Sequence, residues 1–390
     1  MIRQNIPILF FLMLLTGITS AQENSVPIIK WKLAAILPSS DGNHKSLGFA
    51  GAINGVSSDA FIVAGGSNFP GGLPWNGGKK YYSKQIHILQ KENDQYSWYK
   101  KAKFFLPEAV AYCGVTSTPM GIVYAGGENE NGILDKVFIM VWDKDKCELA
   151  IKSLPSIPLP LTNVALTHLG NEVWAAGGDE TDSSSNLFFS LNLDDKNPKW
   201  KSLPDLPVAV ANATLIAQEE GGEKKIYLIG GRTKTKSGIS ELHHTTFVFT
   251  IKRNQWEKCA DISDGEKISD LSAAAGVAID KNYILIAGFD NGKVFHQIES
   301  LMVQIKEAKT PVEKAKLTAE KNNLSIYHKG FDRRVLLYNI SANVWNKIGV
   351  LPFPAQVTTS AVRWGNKIVI SNGEIKPGIR TPNVLIGSLK

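Results

Sequence analysis

One alternation recurs along the chain. A short apolar run, rich in β-branched and aromatic residues, ends each time in a pair of small or turn-forming residues: DAFIVAGG, MGIVYAGG, NEVWAAGG, KIYLIGG, NYILIAGF and NKIVISNG. The first residue of each closing pair stands at 65, 126, 177, 230, 288 and 372, giving spacings of 61, 51, 53, 58 and 84. Runs this short predict buried strands. Each follows a strand-like stretch heavy in small residues (LGFAGAI, VAYCGVT, TNVALTH, ANATLIA, SAAAGVAI, VTTSAVRW). Most closing pairs lead to a third, bulkier strand and then to an edge marked by Trp98, Trp200, Trp256 or Trp345. The second repeat breaks this rule, ending in CELAIKSLP with no Trp. Small residues first and bulky residues last fit a wedge, because inner strands crowd an axis and outer strands have room. The pattern predicts an all-β chain folded as a six-bladed β-propeller.

The strand count is off by one at both ends. After the sixth closing pair comes a third strand, NVLIGSL, with no fourth, while the edge WKLAAILP from Trp31 has no blade before it. The economical solution makes Trp31 to Leu37 the outer strand of the sixth blade, which leaves no open seam. The fifth repeat carries an insertion over about residues 290–334. Ile298, Leu301, Met302 and Ile305 follow helical spacing, and Thr310-Pro311-Val312-Glu313 is a capping box with proline at the first helical position. The insertion is therefore expected to be partly helical.

Composition changes little. Hydrophobic residues make up 43% and charged residues 20%, ordinary for a globular protein, and the net charge of +7 is scattered rather than clustered. That argues against a nucleic-acid footprint and for, at most, a bias toward small anions. Residues 1–21 have Arg3 as their only charge, an apolar run from Ile6 to Leu15, and a Thr19-Ser20-Ala21 ending. They read as a secretory signal peptide, too short for a membrane span, with residues 22–390 as one exported, soluble propeller domain. Three cysteines (Cys113, Cys147, Cys259) without C-x-x-C or His-rich spacing predict neither a disulfide framework nor a metal site, and no cofactor is implied. Oligomeric state is not encoded in any legible way.

The sixth ending differs from the others. SNGEIKPGIRT places Glu374, Lys376 and Arg380 within seven residues, where the sibling repeats are expected to keep glycines and small polar residues. The Gly-Gly and distal Trp pattern resembles Kelch repeats. SNGEIKPGIRT resembles a segment of bacterial N-acetylneuraminate mutarotases (epimerases), as does GFAGAINGVSSDAFIVAGGSNF followed by YSKQIHIL. The order of these two segments is that of the cyclically permuted branch of the family. The resemblance implies a six-bladed Kelch-type propeller that interconverts the anomers of a small anionic sugar, sialic acid, in the periplasm or outside the cell. Glu374 and Arg380 are then the candidate catalytic pair. Asn68, Lys79 and Tyr82 from the long first-repeat loop (Ser67 to Ser83), Asn372 beside the motif, and Arg333 at the end of the insertion are candidate substrate-binding residues. Phe69 and Trp75 either stack on a sugar ring or anchor that loop. Blades five, six and one are neighbours once the ring closes, so their elaborate loops should gather over one sector. Two other classes compete. A sialidase-type glycosidase would need Ser-x-Asp-x-Gly-x-x-Trp boxes, which are absent, and a non-catalytic binding propeller would not need the Glu–Arg pair.

Overall fold

The computed structural model describes residues 27–39 and 46–389; the leader expected at 1–21 lies outside them. Six antiparallel sheets form the blades of a propeller. Blade one runs outward from Ile53–Ser57 through Ala60–Ala64 and Gln85–Glu92 to Gln95–Trp98. Blades two to five follow the same chain order. Blade six takes Ala361–Trp364, Lys367–Ser371 and Asn383–Leu389 from one end of the chain and Ile29–Ile36 from the other. The closing strand pairs from Ile29 opposite Leu389 to Ile36 opposite Asn383, and begins two residues before the expected Trp31.

The residue pattern now has physical causes. Inner strands are poor in bulk because adjacent blades touch there. A Cβ at Gly114 would stand 2.3 Å from Leu166 Cδ1, and one at Gly276 would stand 2.4 Å from Thr214 Cγ2. The outer tryptophans tie neighbouring blades together. The indole N–H groups of Trp98, Trp200 and Trp256 donate to the carbonyls of Ile36, Pro155 and Pro204 at 2.8, 2.8 and 3.2 Å. The closing glycines are required at their first position. Gly126, Gly177 and Gly230 have φ of 64°, 60° and 60°, and a Cβ would come within 2.2, 2.1 and 2.3 Å of a carbonyl oxygen of the same blade or the next.

A feature invisible in the repeats closes the ring. Gly51, Tyr112, Asn163, Asn212, Ala273 and Thr358 each precede an inner strand and all have φ between 51° and 62°. Each of their N–H groups donates to the carbonyl of another member: Gly51 to Thr358, Thr358 to Ala273, Ala273 to Asn212, Asn212 to Asn163, Asn163 to Tyr112 and Tyr112 to Gly51. The six bonds make a closed backbone circle around one mouth of the central channel, a cavity of about 310 Å³ lined by the inner strands. Non-glycine residues in the left-handed region are costly, and here the circle of bonds holds them.

The insertion folds as two helices, α1 (Lys293–Glu307) and α2 (Pro311–Ile326). Thr310 accepts from the Glu313 N–H at 3.2 Å as a capping residue should, while the Glu313 carboxylate reaches the N–H of Lys309, one residue beyond the usual place. On α1 only Leu301 is buried, and Met302 stays exposed. Glu299 of α1 accepts from the N–H and hydroxyl of Ser240 at 2.6 and 2.8 Å, so α1 lies on the loop of blade four. That brings a fourth blade beside the expected sector.

Candidate active site

The residue after each closing pair occupies one equivalent place in every blade. Ser67, Glu128, Asp179, Arg232, Asp290 and Glu374 bridge, backbone to backbone, to Ala50, Ala111, Thr162, Ala211, Ser272 and Val357. Those partners are the residues immediately before the members of the hydrogen-bonded circle. Six equivalent positions therefore surround the channel mouth, and four of them carry carboxylates. The expectation that only the sixth repeat is charged here is corrected. Glu374 belongs to a ring of charges, and what sets its blade apart is the hairpin that follows.

That hairpin pairs Glu374–Lys376 with Ile379–Arg380. Glu374 Oε1 accepts from the Gly378 N–H at 2.6 Å and from Arg380 Nη1 at 2.7 Å. The Arg380 side chain is 5% exposed and that of Glu374 is 17% exposed, so this is a largely desolvated ion pair. The guanidinium stacks on the Phe69 ring, 4.6 Å from its centroid. Its Nε is buried with no hydrogen-bond partner among the described residues. A buried guanidinium N–H without an acceptor is a group that an anionic ligand would satisfy.

The first-blade loop supports this hairpin. Ser67–Asn68 pairs with Tyr81–Tyr82, and a 3-10 turn spans Pro74–Asn76. A Cβ on Gly378 would stand 3.2 Å from both Pro74 Cδ and Trp75 Cζ3, so Trp75 anchors the loop against the blade-six turn. Tyr82 donates to Glu128 Oε1 at 2.7 Å, and burial, with that bond, pushes its hydroxyl up to about 12. Lys79 is exposed and makes no hydrogen bond or ion pair among the described residues. Its neighbour Lys80 takes the inward place, 3.1 Å from Glu128 Oε1 and 5.1 Å from the Tyr112 ring centroid.

Three further candidates are occupied by the fold. Asn68 is buried, its amide donating to the Gly48 carbonyl at 3.1 Å, and only its Oδ1 is left unpartnered among the described residues. Asn372 is fully buried at φ 61°; it donates to Ser371 Oγ at 2.7 Å and accepts from the Phe49 N–H at 3.2 Å. It fills the left-handed place that glycine takes in other blades, which accounts for it without a ligand. Arg333 is exposed and its Nε donates to the Leu351 carbonyl at 2.8 Å, away from the pair. Arg334 is likewise held, by Asp332 and Asp264.

Asp290 was not singled out by sequence. Its repeat reads Gly-Phe-Asp where others read Gly-Gly-x, and a helical insertion follows. Aligning the residue after each closing pair is the signal that finds it. Burial, and to a lesser degree the charge of Glu374, raise its carboxyl from near 3.8 to about 6, opposed by the Gly292 N–H at 2.8 Å. A carboxyl whose folded value is raised contributes stability fully below its unfolded value, and that contribution is lost as pH rises through about 6. Asp290→Asn should therefore match the parent's melting temperature near pH 3.5 and exceed it by a few degrees near pH 8, on the order of 2–3 kcal/mol. Calorimetric scans at the two pH values check this; equal differences at both would refute the burial argument.

Among the described residues no group of three or more His, Cys, Asp or Glu comes together as a metal site. A family model described as N-acetylneuraminate epimerase matches residues 154–390. Curated proteins named N-acetylneuraminate epimerase are similar to the chain. The one from Haemophilus influenzae (strain 86-028NP) is 27% identical over 230 residues, covering 59% of this chain and 58% of that protein. The one from Pasteurella multocida (strain Pm70) is 26% identical over 237 residues, covering 60% and 58%. The one from Salmonella typhi is 26% identical over 230 residues, covering 59% and 56%. The chain thus spans somewhat over half the length of the curated relatives it matches.

Proposed function

Because the chain belongs to the N-acetylneuraminate epimerase family, we propose that it interconverts the α and β anomers of N-acetylneuraminate by opening and closing the sugar ring. The observation that carries this reading is the Glu374–Arg380 pair, on the hairpin that holds the family-like motif, with the buried guanidinium Nε left without a partner among the described residues beside an aromatic floor. The sugar carboxylate takes the free edge of Arg380 through parallel hydrogen bonds. Phe69 fixes the guanidinium plane. The anomeric hydroxyl then lies within reach of Glu374.

The chemistry is ring opening and closure driven by acid–base proton transfer. Glu374 accepts the anomeric hydroxyl proton, the bond from the anomeric carbon to the ring oxygen breaks, and that oxygen leaves with the electron pair and gains a proton. The open-chain ketone turns, and the hydroxyl adds to its other face with the protons returned. A positioned carboxyl group is enough for this. A secretory leader at residues 1–21, as read from the sequence, would direct the reaction outside the cytoplasm.

Proton NMR on freshly released N-acetylneuraminate tests the reading. The protein should shorten the time to anomeric equilibrium in proportion to its concentration. Unchanged equilibration together with measurable sugar binding would favour a binding propeller instead.

A further inference from the structure

The four carboxylates around the channel mouth are not equivalent. Glu128 is 3.1 Å from Lys80, Asp179 is 2.6 Å from Arg232 and Glu374 is 2.7 Å from Arg380. Asp290 is the one member with no cation within 4 Å among the described residues; its hydrogen bond comes from the neutral Gly292 N–H. It stands on blade five, next to the blade of Glu374, and its backbone is bridged to Ser272 at 3.0 and 2.9 Å just as Glu374 is bridged to Val357 at 2.9 and 2.9 Å. It also borders a cavity of about 530 Å³ between the blade-five loop and the helices.

We propose that Asp290 is a second catalytic residue of this site, donating a proton to the ring oxygen while Glu374 takes the proton of the anomeric hydroxyl. This rests on the anomer-exchange reading above. The physical basis is a division of labour between two carboxyl groups in unlike surroundings. Glu374 is ion-paired with Arg380. Asp290 has no counter-charge within 4 Å among the described residues, is partly buried, and is raised to about 6 by burial and by Glu374, so it keeps its proton to a higher pH than an ordinary aspartate.

The surrounding charges are mixed. Lys293 on α1, Glu320 on α2, and His328, Lys329 and Asp332 on the returning segment line the same cavity, and Asp290 feels the charge of Glu374 from blade six. Burial and, after it, the charge of Lys376 lower the His328 imidazole from its ordinary value, and its Nδ1 accepts from the Gly330 N–H at 3.0 Å. Asp332 is committed to Arg334 at 2.8 Å.

The step balances without any co-reactant. The hydroxyl proton passes to Glu374 as the carbonyl forms. The electron pair of the broken carbon–oxygen bond stays on the ring oxygen, which takes the Asp290 proton. On closure the hydroxyl adds to the opposite face, Asp290 recovers its proton and Glu374 returns its own to the carbonyl oxygen.

Anomer-exchange NMR on the full chain and on Asp290→Asn, from about pH 5 to about pH 8 with the spontaneous rate subtracted, tests the assignment. The parent's catalysed rate should fall above about pH 6, approaching tenfold per pH unit. Asp290→Asn keeps an acceptor for Gly292, so sugar should still bind by calorimetry while exchange at pH 6 slows about 10–100-fold and the fall above pH 6 disappears. A variant with the parent's rate, or one that keeps the same fall with pH, overturns the role of Asp290 and leaves the family reading standing. If the variant does not fold, the parent's profile decides: a flat rate from about pH 5.5 to about pH 7.5 overturns the proposal. A parent that exchanges no anomers at any pH overturns the functional reading and this inference with it.

Discussion

Glu374→Gln is expected to leave N-acetylneuraminate bound while slowing its anomer exchange by about 10²–10⁴-fold, the usual share of general acid–base catalysis. The amide is nearly isosteric, and its oxygen can still accept from the Gly378 N–H that Glu374 holds at 2.6 Å. What disappears is the group that accepts a proton. Arg380→Lys separates binding from chemistry. It keeps the positive charge beside Glu374 but loses the planar fork and the stack on Phe69. Affinity should fall by about tenfold or more, with a smaller change in the rate at saturation. Arg380→Ala is a poorer test, because it strands a partly buried carboxylate without its counter-charge and costs stability as well. Calorimetry and exchange NMR on both variants give the answer. If Glu374→Gln exchanges anomers at the parent's rate, the carboxylate is not the proton acceptor and the motif is a binding or folding element.

Removing residues 29–36 should be more damaging to folding than any single substitution. The segment supplies the whole outer strand of blade six, paired with Asn383–Leu389 along its length. It also carries the Ile36 carbonyl that receives the Trp98 indole at 2.8 Å, and it leads directly into the fully buried Leu37. Without it, Asn383–Leu389 becomes an exposed edge with unpaired backbone groups, and blades six and one lose a connection. Such an edge invites pairing between copies. The expected result is a melting temperature lower by roughly 10 °C or more, with oligomers in light scattering, since several kcal/mol of strand pairing and burial are lost together. A truncated chain that remained monomeric and melted with the parent would show that the ring does not depend on this closure.

Much of this molecule is legible in its sequence. The alternation of apolar residues fixes strands wherever one face is buried. The closing glycines are legible because a left-handed turn against a neighbouring carbonyl leaves no room for a Cβ, as at Gly126 and Gly177. The Trp edges are legible because each indole has one task, the staple to the preceding blade. Even closure by the N-terminal segment followed from counting strands, since an unpaired edge at each end has one economical remedy. The segment Glu374 to Arg380 stood out because its residue types depart from the sibling repeats.

What the sequence did not determine was how side chains on different blades meet. Lys79 and Lys80 are indistinguishable in a Gly-rich loop, and only the course of the short Ser67–Asn68 and Tyr81–Tyr82 pairing sends Lys80 toward Glu128. Asn372 looked like a sugar ligand beside the motif, and the fold uses it as a buried turn residue bonded to Phe49, 323 positions away in the chain. Asp290 looked like the start of an insertion, and ring closure sets it beside Glu374. Periodicity and turn chemistry are local properties, written into consecutive residues by burial and backbone sterics. The burial and charge coupling that raise Asp290, and the missing partner of Arg380 Nε, arise from approaches between distant segments. Those exist only once six wedges have closed around one axis.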